Sequence, residues 1–239
     1  VEVEVGVEVG VGVEAWPLAA LEIRDLRLSR GAAAPVSFRV AAGGVAVIMG
    51  RTGVGKTTLL RTLLGLEGGL GGEVIYGGTA LGDAPVGPRG RPFVWVPQDA
   101  PLLADSLEAN VSLGGDGPGV QEALEAVGAG ELVGAVGGGR LGAAGRAVSG
   151  GERQWIAMAR AIASAQPVIL LDEPTSGLDA RSEQAVLAGI ARLRGERTVL
   201  VVTHRPEVAV LADVVVRLDD QTTSIVTAGP RLTRTDAAE

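Results

Sequence analysis

The sequence predicts an α/β fold with a mostly parallel central sheet covered on both faces, and three observations carry that prediction. Short aliphatic runs alternate with segments of helical period along most of the chain, the order that a parallel sheet with crossover helices requires. One such run, VAVIM at 45–49, leads through a glycine-rich loop straight into an amphipathic helix. Another, PVILL at 167–171, ends abruptly in Asp172 and Glu173, at what is then the C-terminal edge of the sheet, where open α/β folds place their ligands.

Element by element, residues 1–14 alternate Val with Glu or Gly; this is strand-compatible but of very low complexity, so residues 1–18 are expected to be a linker or tail. LEIRDLRLS from Leu21, PVSFRV from Pro35 and VAVIM follow as strands, then KTTLLRTLLG as a helix whose Leu59, Leu60, Leu63 and Leu64 share one face. EVIY and FVWV are two further strands. Residues 99–147 differ in texture, being crowded with glycine around two short helical pieces, SLEANV and VQEALEAV, as expected of an inserted, mobile subdomain. Beyond it the chain reads helix (from Gly151), strand (PVILL), helix (from Ala180), strand (TVLVVT), and two closing strands (ADVVVRL and TSIVTA). One catalytic domain over 19–229 and a C-terminal tail over 230–239 complete the expected organisation.

Composition narrows the function. Hydrophobic residues at 46% against 21% charged describe a globular chain, and with 3% aromatics its core must be aliphatic. A formal net charge of −7 argues against a nucleic-acid partner. With no cysteine, disulfides, thiolate metal sites and cysteine nucleophiles are excluded. No apolar run approaches the roughly 18 residues that cross a bilayer. The chain starts at Val1 without a methionine and without a signal-like segment, and is expected to be excised from a longer polypeptide.

The chemistry sits in the loops. Gly50-Arg51-Thr52-Gly53-Val54-Gly55-Lys56-Thr57, followed by Thr58, fits the phosphate-binding loop, and lies between strand and helix as that loop must. Glycines let backbone N–H groups point at phosphate oxygens, and the helix adds its positive end. Lys56 is the only lysine, all other long basic side chains being arginine; a compact ammonium fits between phosphates where a planar guanidinium does not. Lys56 is therefore expected to neutralise β- and γ-phosphates, Thr57 to offer its hydroxyl to Mg²⁺, Asp172 to hold the same Mg²⁺, and Glu173 to polarise the attacking water.

Further motifs decide among phosphate-loop nucleotidases. Ser149-Gly150-Gly151-Glu152-Arg153-Gln154 opens a helix just before PVILLDE and is similar to the signature that defines the ABC (ATP-binding cassette) ATPases. Pro174-Thr175-Ser176-Gly177-Leu178-Asp179 resembles their D-loop, Thr203-His204 their switch histidine, and Val96-Pro97-Gln98 their Q-loop. The resemblance covers about residues 21–220. It implies a P-loop domain with an antiparallel β subdomain beside the parallel sheet and a helical insertion. It also implies ATP and Mg²⁺ as cofactors, with Gln98 reaching the metal and water, and His204 sensing the γ-phosphate and orienting Glu173. The signature, Ser149 to Glu152, closes over the ATP of a second such domain, with Ser176 and Asp179 in the D-loop. Transmembrane domains, fused before Val1 or separate, are the other implied partner, at the cytoplasmic face of the cell membrane.

PLLADSLEANV at 101–111 resembles the segment where exporters receive their membrane domain, which favours export. Two departures stand out. Leu28-Ser29-Arg30 occupies the place of the family's adenine-stacking aromatic, so Arg30 is expected over the base by a cation–π contact. Leu141 to Gly145 lacks the acidic residue that exporters commonly carry before the signature. The rival readings are a soluble ABC ATPase of DNA repair or translation, an importer subunit, a phosphate-loop kinase or GTPase, and a catalytically dead cassette.

Overall fold

The computed structural model describes residues 16–87, 90–113, 115, 117–142, 145–220 and 223–227; the expected N-terminal linker up to residue 15 and the C-terminal tail lie outside them. Two sheets form. One is antiparallel, with β1 (Leu21–Leu26), β2 (Val36–Val40), β4 (Glu73–Tyr76) and β5 (Thr79–Ala80) in the order β2-β1-β4-β5. The other contains β3 (Val45–Met49), β6 (Phe93–Val96), β7 (Val168–Asp172), β8 (Thr198–Thr203), β9 (Val214–Leu218) and β10 (Thr223–Thr227) in the order β10-β9-β3-β8-β7-β6. All its neighbours pair in parallel except β10, which closes the edge antiparallel to β9.

Period-two geometry splits the central strands between two cores. From β3, β7 and β8, the side chains of Val45, Val47, Ile169, Leu171, Val199 and Val201 enter one apolar cluster. Their alternates Ala46, Ile48, Val168, Leu170, Leu200 and Val202 enter the other. This explains why these strands read as unbroken aliphatic runs. The second cluster takes its cover from the antiparallel sheet and from Leu59, Leu60 and Leu63 of α1 (Lys56–Leu63). The first is covered by α5 (Gly150–Ala163), by α6 (Ala180–Arg192) and by the inserted helices α2 (Leu107–Ser112), α3 (Val120–Ala126) and α4 (Glu131–Val136).

Three features depart from the sequence reading. β1 ends at Leu26 instead of running to Ser29, because its register with β2 shifts between Ile23 and Leu26 and Asp25 takes a left-handed φ of 46°. The Asp25 N–H there donates to Ser37 Oγ at 2.8 Å instead of to the ladder. The insertion contains α4, which the glycine content concealed; Leu132 and Val136, one turn apart, are buried in the core and outweigh Gly134. After β8 a short 3-10 helix, Pro206–Leu211, starts on its proline and buries Val208.

Candidate active site at the C-terminal edge of the parallel sheet

Strand register assembles the site. Met49 pairs with Thr203, Asp172 with Val202, and Val96 with Leu171, so β3, β8, β7 and β6 all end at one edge. The loops leaving these ends carry Gly50 to Thr57, Glu173, His204 and Gln98. An open cleft of about 390 Å³ forms there, lined by Thr52, Gly53, Gly55, Lys56, Thr57, Thr58, Gln98, Asp172, Glu173 and His204, with Arg30 and Gly31 at its side.

Gly55 shows why the loop needs glycine. It precedes α1 at φ 119°, and a Cβ there would lie 2.9 Å from Leu28 Cδ1 and 3.1 Å from Arg30 O. Lys56 is buried and its Nζ donates to Gly50 O at 2.9 Å and Arg51 O at 3.2 Å, with a Glu173 carboxylate oxygen 4.0 Å away. A cation so withdrawn from water is a site for an anion. Val54 turns its side chain into the core, and Arg51 reaches outward to within 3.8 Å of Asp220, leaving those two residues only backbone to offer the cleft.

Thr57 Oγ1 donates to Asp172 Oδ2 at 3.1 Å. Burial pushes the Asp172 carboxyl above its ordinary range, the Thr57 hydrogen bond and Lys56 opposing, Glu173 reinforcing. A hydroxyl and a buried carboxylate together suit a divalent cation. Among the described residues no group of three His, Cys, Asp or Glu could hold a metal ion.

Glu173 stands in a left-handed conformation, φ 48°, a strained one for a residue with a Cβ. Its carboxylate accepts from Thr203 Oγ1 at 3.2 Å and lies 2.9 and 3.0 Å from His204 Nδ1. That contact requires the proton on Nδ1 and leaves Nε2 for a ligand. Gln98 donates its Nε2 to Ser176 Oγ at 3.3 Å, and its carbonyl accepts from Gln154 Nε2 of α5. Thr203, Gln154 and Arg205, whose side chain donates to Thr175 O, were not assigned such roles from sequence. Gln154 and Thr203 stood inside named motifs without a role of their own, and Arg205 stood next to one.

The signature residues are not part of this cleft. Ser149 caps α5, its Oγ accepting from the Glu152 N–H while Glu152 Oε2 accepts from the Ser149 N–H, a complete capping box. Burial raises the Glu152 carboxyl, and the bonds from Arg146 and Ser149 more than offset that, leaving it below its ordinary range. Gly150 and Gly151 leave room for the D-loop and α6: a Cβ on them would lie 2.9 Å from Leu178 Cδ2 and 3.1 Å from Ser182 Cβ. Asp179 caps α6 through the Ser182 N–H. No helix of the described residues is long and apolar enough to cross a membrane.

Comparisons with known proteins give the chain its family and fold relatives. The family model described as ABC transporter matches residues 33–176. The β-(1→2)glucan export ATP-binding/permease protein NdvA of Rhizobium johnstonii is 38% identical over 215 residues, 84% of this chain and 36% of that protein. The ATP-dependent lipid A-core flippase of Burkholderia orbicola is 36% identical over 83% of this chain and 35% of its own length. The glutathione/L-cysteine transport system ATP-binding/permease protein CydC of Escherichia coli is 36% identical over 78% and 34%. The structure of a bacterial Atm1-family ABC exporter with ATP bound superposes with a TM-score of 0.74 at 26% identity, covering 88% of this chain and 39% of that one. The chain thus spans about a third of the length of the curated relatives it matches. By family model, relatives and fold alike, this chain belongs to the ABC transporter family.

Proposed function

We propose that this domain is the ATP-hydrolysing motor of an exporter, closing on a second such domain when Mg²⁺-ATP binds and opening after hydrolysis. The observation that carries the reading is the grip on Glu173: a carboxylate beside the phosphate loop, held by Thr203 and His204 and 4.0 Å from Lys56. Lys56 leaves the carbonyls of Gly50 and Arg51 for the phosphates. Glu173 orients a water on the γ-phosphate and takes its proton, so that ATP and water give ADP and phosphate. His204, with Nδ1–H on Glu173, meets the γ-phosphate through Nε2, as a donor when imidazolium. Mg²⁺, when held by Thr57 and Asp172 with Gln98 nearby, neutralises phosphate charge. Arg30, at the side of the same cleft, lies over the adenine.

Ser149 and its glycines do not line the cleft of their own phosphate loop, and the Ser149 hydroxyl, which accepts in its cap and bonds the Glu152 carboxylate, would turn its proton from that carboxylate to a phosphate. They are assigned to the ATP of a second domain. An apolar groove beside Gln98, walled by Trp95, Pro101, Leu113 and Arg160, is assigned to the membrane domain, at the cytoplasmic face. Relatives whose names specify glucan, lipid A-core and glutathione share this domain, so choice of cargo is assigned to membrane segments.

The test is the solution mass of Glu173→Gln with and without Mg²⁺-ATP, since blocked hydrolysis traps the closed state. An ATP-dependent rise from one domain copy to two is expected. ATP bound to a persistent single copy, in the presence of its membrane domains, overturns the shared site.

A further inference from the structure

We infer that Arg205 is a positioning residue that fixes the D-loop and, through it, the carboxylate of Glu173; the inference rests on the ATPase reading above. Arg205 follows the switch histidine, and the proline after it favours an extended backbone, here φ −91° and ψ 115°. Its N–H donates to Thr203 Oγ1 at 3.1 Å, the same hydroxyl that donates to Glu173 Oε2 at 3.2 Å. Its guanidinium turns the other way, donating from one nitrogen to Thr175 O at 3.0 Å and lying with another 2.7 Å from Glu183 Oε2 in the first turn of α6.

These contacts bracket Glu173 on both sides. The segment from Glu173 to Asp179 is a short arc between the end of β7 and the N-cap of α6, and Arg205 pins its middle at Thr175 while Glu183 anchors the pin. The arc needs one. Glu173 holds a left-handed φ of 48°, and such a conformation persists only where surrounding contacts over-determine it. Around it the structure provides the Glu173 N–H on Val202 O at 2.9 Å, the Ser176 N–H on Glu173 O at 3.0 Å, and the Arg205 fork. The first joins the end of β7 to β8, and the second is local to the turn. Arg205 ties the arc to both the switch loop and α6, and its side chain is only 30% exposed against 13% for Glu183, so the pair is shielded in part from solvent and salt. Arginine suits the task because its rigid fork meets two acceptors at once, which an ammonium cannot do in the same geometry.

The test is steady-state ATPase on the intact protein carrying Arg205→Ala, Arg205→Lys, Glu183→Gln and the Arg205→Ala/Glu183→Gln pair, with melting temperatures alongside. Displacement of the general base by a fraction of an ångström is expected to lower kcat roughly 10- to 100-fold in Arg205→Ala with KM for ATP nearly unchanged. Arg205→Lys recovers part of the loss. Glu183→Gln lowers kcat less, and the pair is no worse than Arg205→Ala, since both changes remove one pin. Glu183→Gln also serves if Arg205→Ala does not fold. A kcat close to wild type in Arg205→Ala, a loss confined to KM, or additive effects in the pair overturns the inference. A wild-type protein that binds ATP and never hydrolyses it overturns the proposed function itself.

Discussion

Ser149 caps α5 in its own chain and is proposed to bind the ATP of a second domain, and a pair of substitutions separates the two. In its own chain the hydroxyl accepts from the Glu152 N–H at 3.2 Å and closes a capping box. Replacing a capping serine by alanine costs about 1 kcal/mol, by glycine only a few tenths. For a domain of this size a loss of about 1 kcal/mol lowers Tm by roughly 2–4 °C. Ser149→Ala is therefore expected to melt a few degrees low and Ser149→Gly almost at the wild-type temperature. In the proposed shared site the hydroxyl donates to the second ATP, and glycine and alanine remove that donor equally. A hydrogen bond to a charged phosphate is worth about 1.5–3 kcal/mol, or roughly 10- to 150-fold, and both variants should lose ATPase by a similar factor in that range. Thermal melts and ATPase on the same preparations read both effects. Ser149→Gly with full ATPase refutes the reasoning, because it keeps the helix and lacks only the donor; activity that tracks Tm across the two variants refutes it as well.

Lys56→Ala should weaken ATP binding by about 1.5–3 kcal/mol by calorimetry while leaving the ligand-free Tm close to wild type, because the ammonium gives up two backbone carbonyls and a 4.0 Å contact with Glu173, all at the wall of an open cleft. Burial raises the Asp172 pKa, so the folded chain holds that proton more tightly than the unfolded one, and ligand-free stability should fall as pH rises from the ordinary aspartate range to the raised value; Asp172→Asn should flatten this dependence in pH-resolved melts and abolish the stabilisation by Mg²⁺-ATP. Asn110, fully buried, accepts from the Leu103 N–H and donates to Leu103 O and Ser106 O; Asn110→Ala should cost about 1–3 kcal/mol for each group left unpaired, seen as a large drop in Tm by calorimetry. Gly150→Ala places a Cβ 2.9 Å from Leu178 Cδ2 and should lower ATPase more than Tm, because Leu178 is a mobile side chain but the D-loop it belongs to must shift.

Elements were legible in the sequence where one physical signal sufficed. β3, β7 and β8 are buried on both faces and so read as unbroken aliphatic runs, and α1 and α5 carry a face of apolar residues at helical spacing. Where two signals compete, the local one misleads. Gly134 hides α4 because its penalty is local while the burial of Leu132 and Val136 that outweighs it is tertiary. β1 reads too long because Asp25 breaks the ladder with a hydrogen bond to Ser37, twelve residues on. In the site, Lys56, Thr57, Asp172, Glu173 and His204 could be assembled in advance because each stands directly at a strand end or helix start, and parallel register alone brings those ends together.

What spacing cannot convey is which side chains hold the loops to one another. Gln154 lies on α5, fifty-six positions from the carbonyl of Gln98 that it reaches, and Arg205 lies thirty from Thr175. Both contacts span loops whose paths are set by packing, with no periodicity to reveal them. The two bonds also join one motif to another, the signature helix to the Q-loop and the switch loop to the D-loop. Residues that touch phosphate must match its chemistry and so form recognisable motifs. Residues that join one motif to another need only match each other, which is why they surface only when distances are in hand.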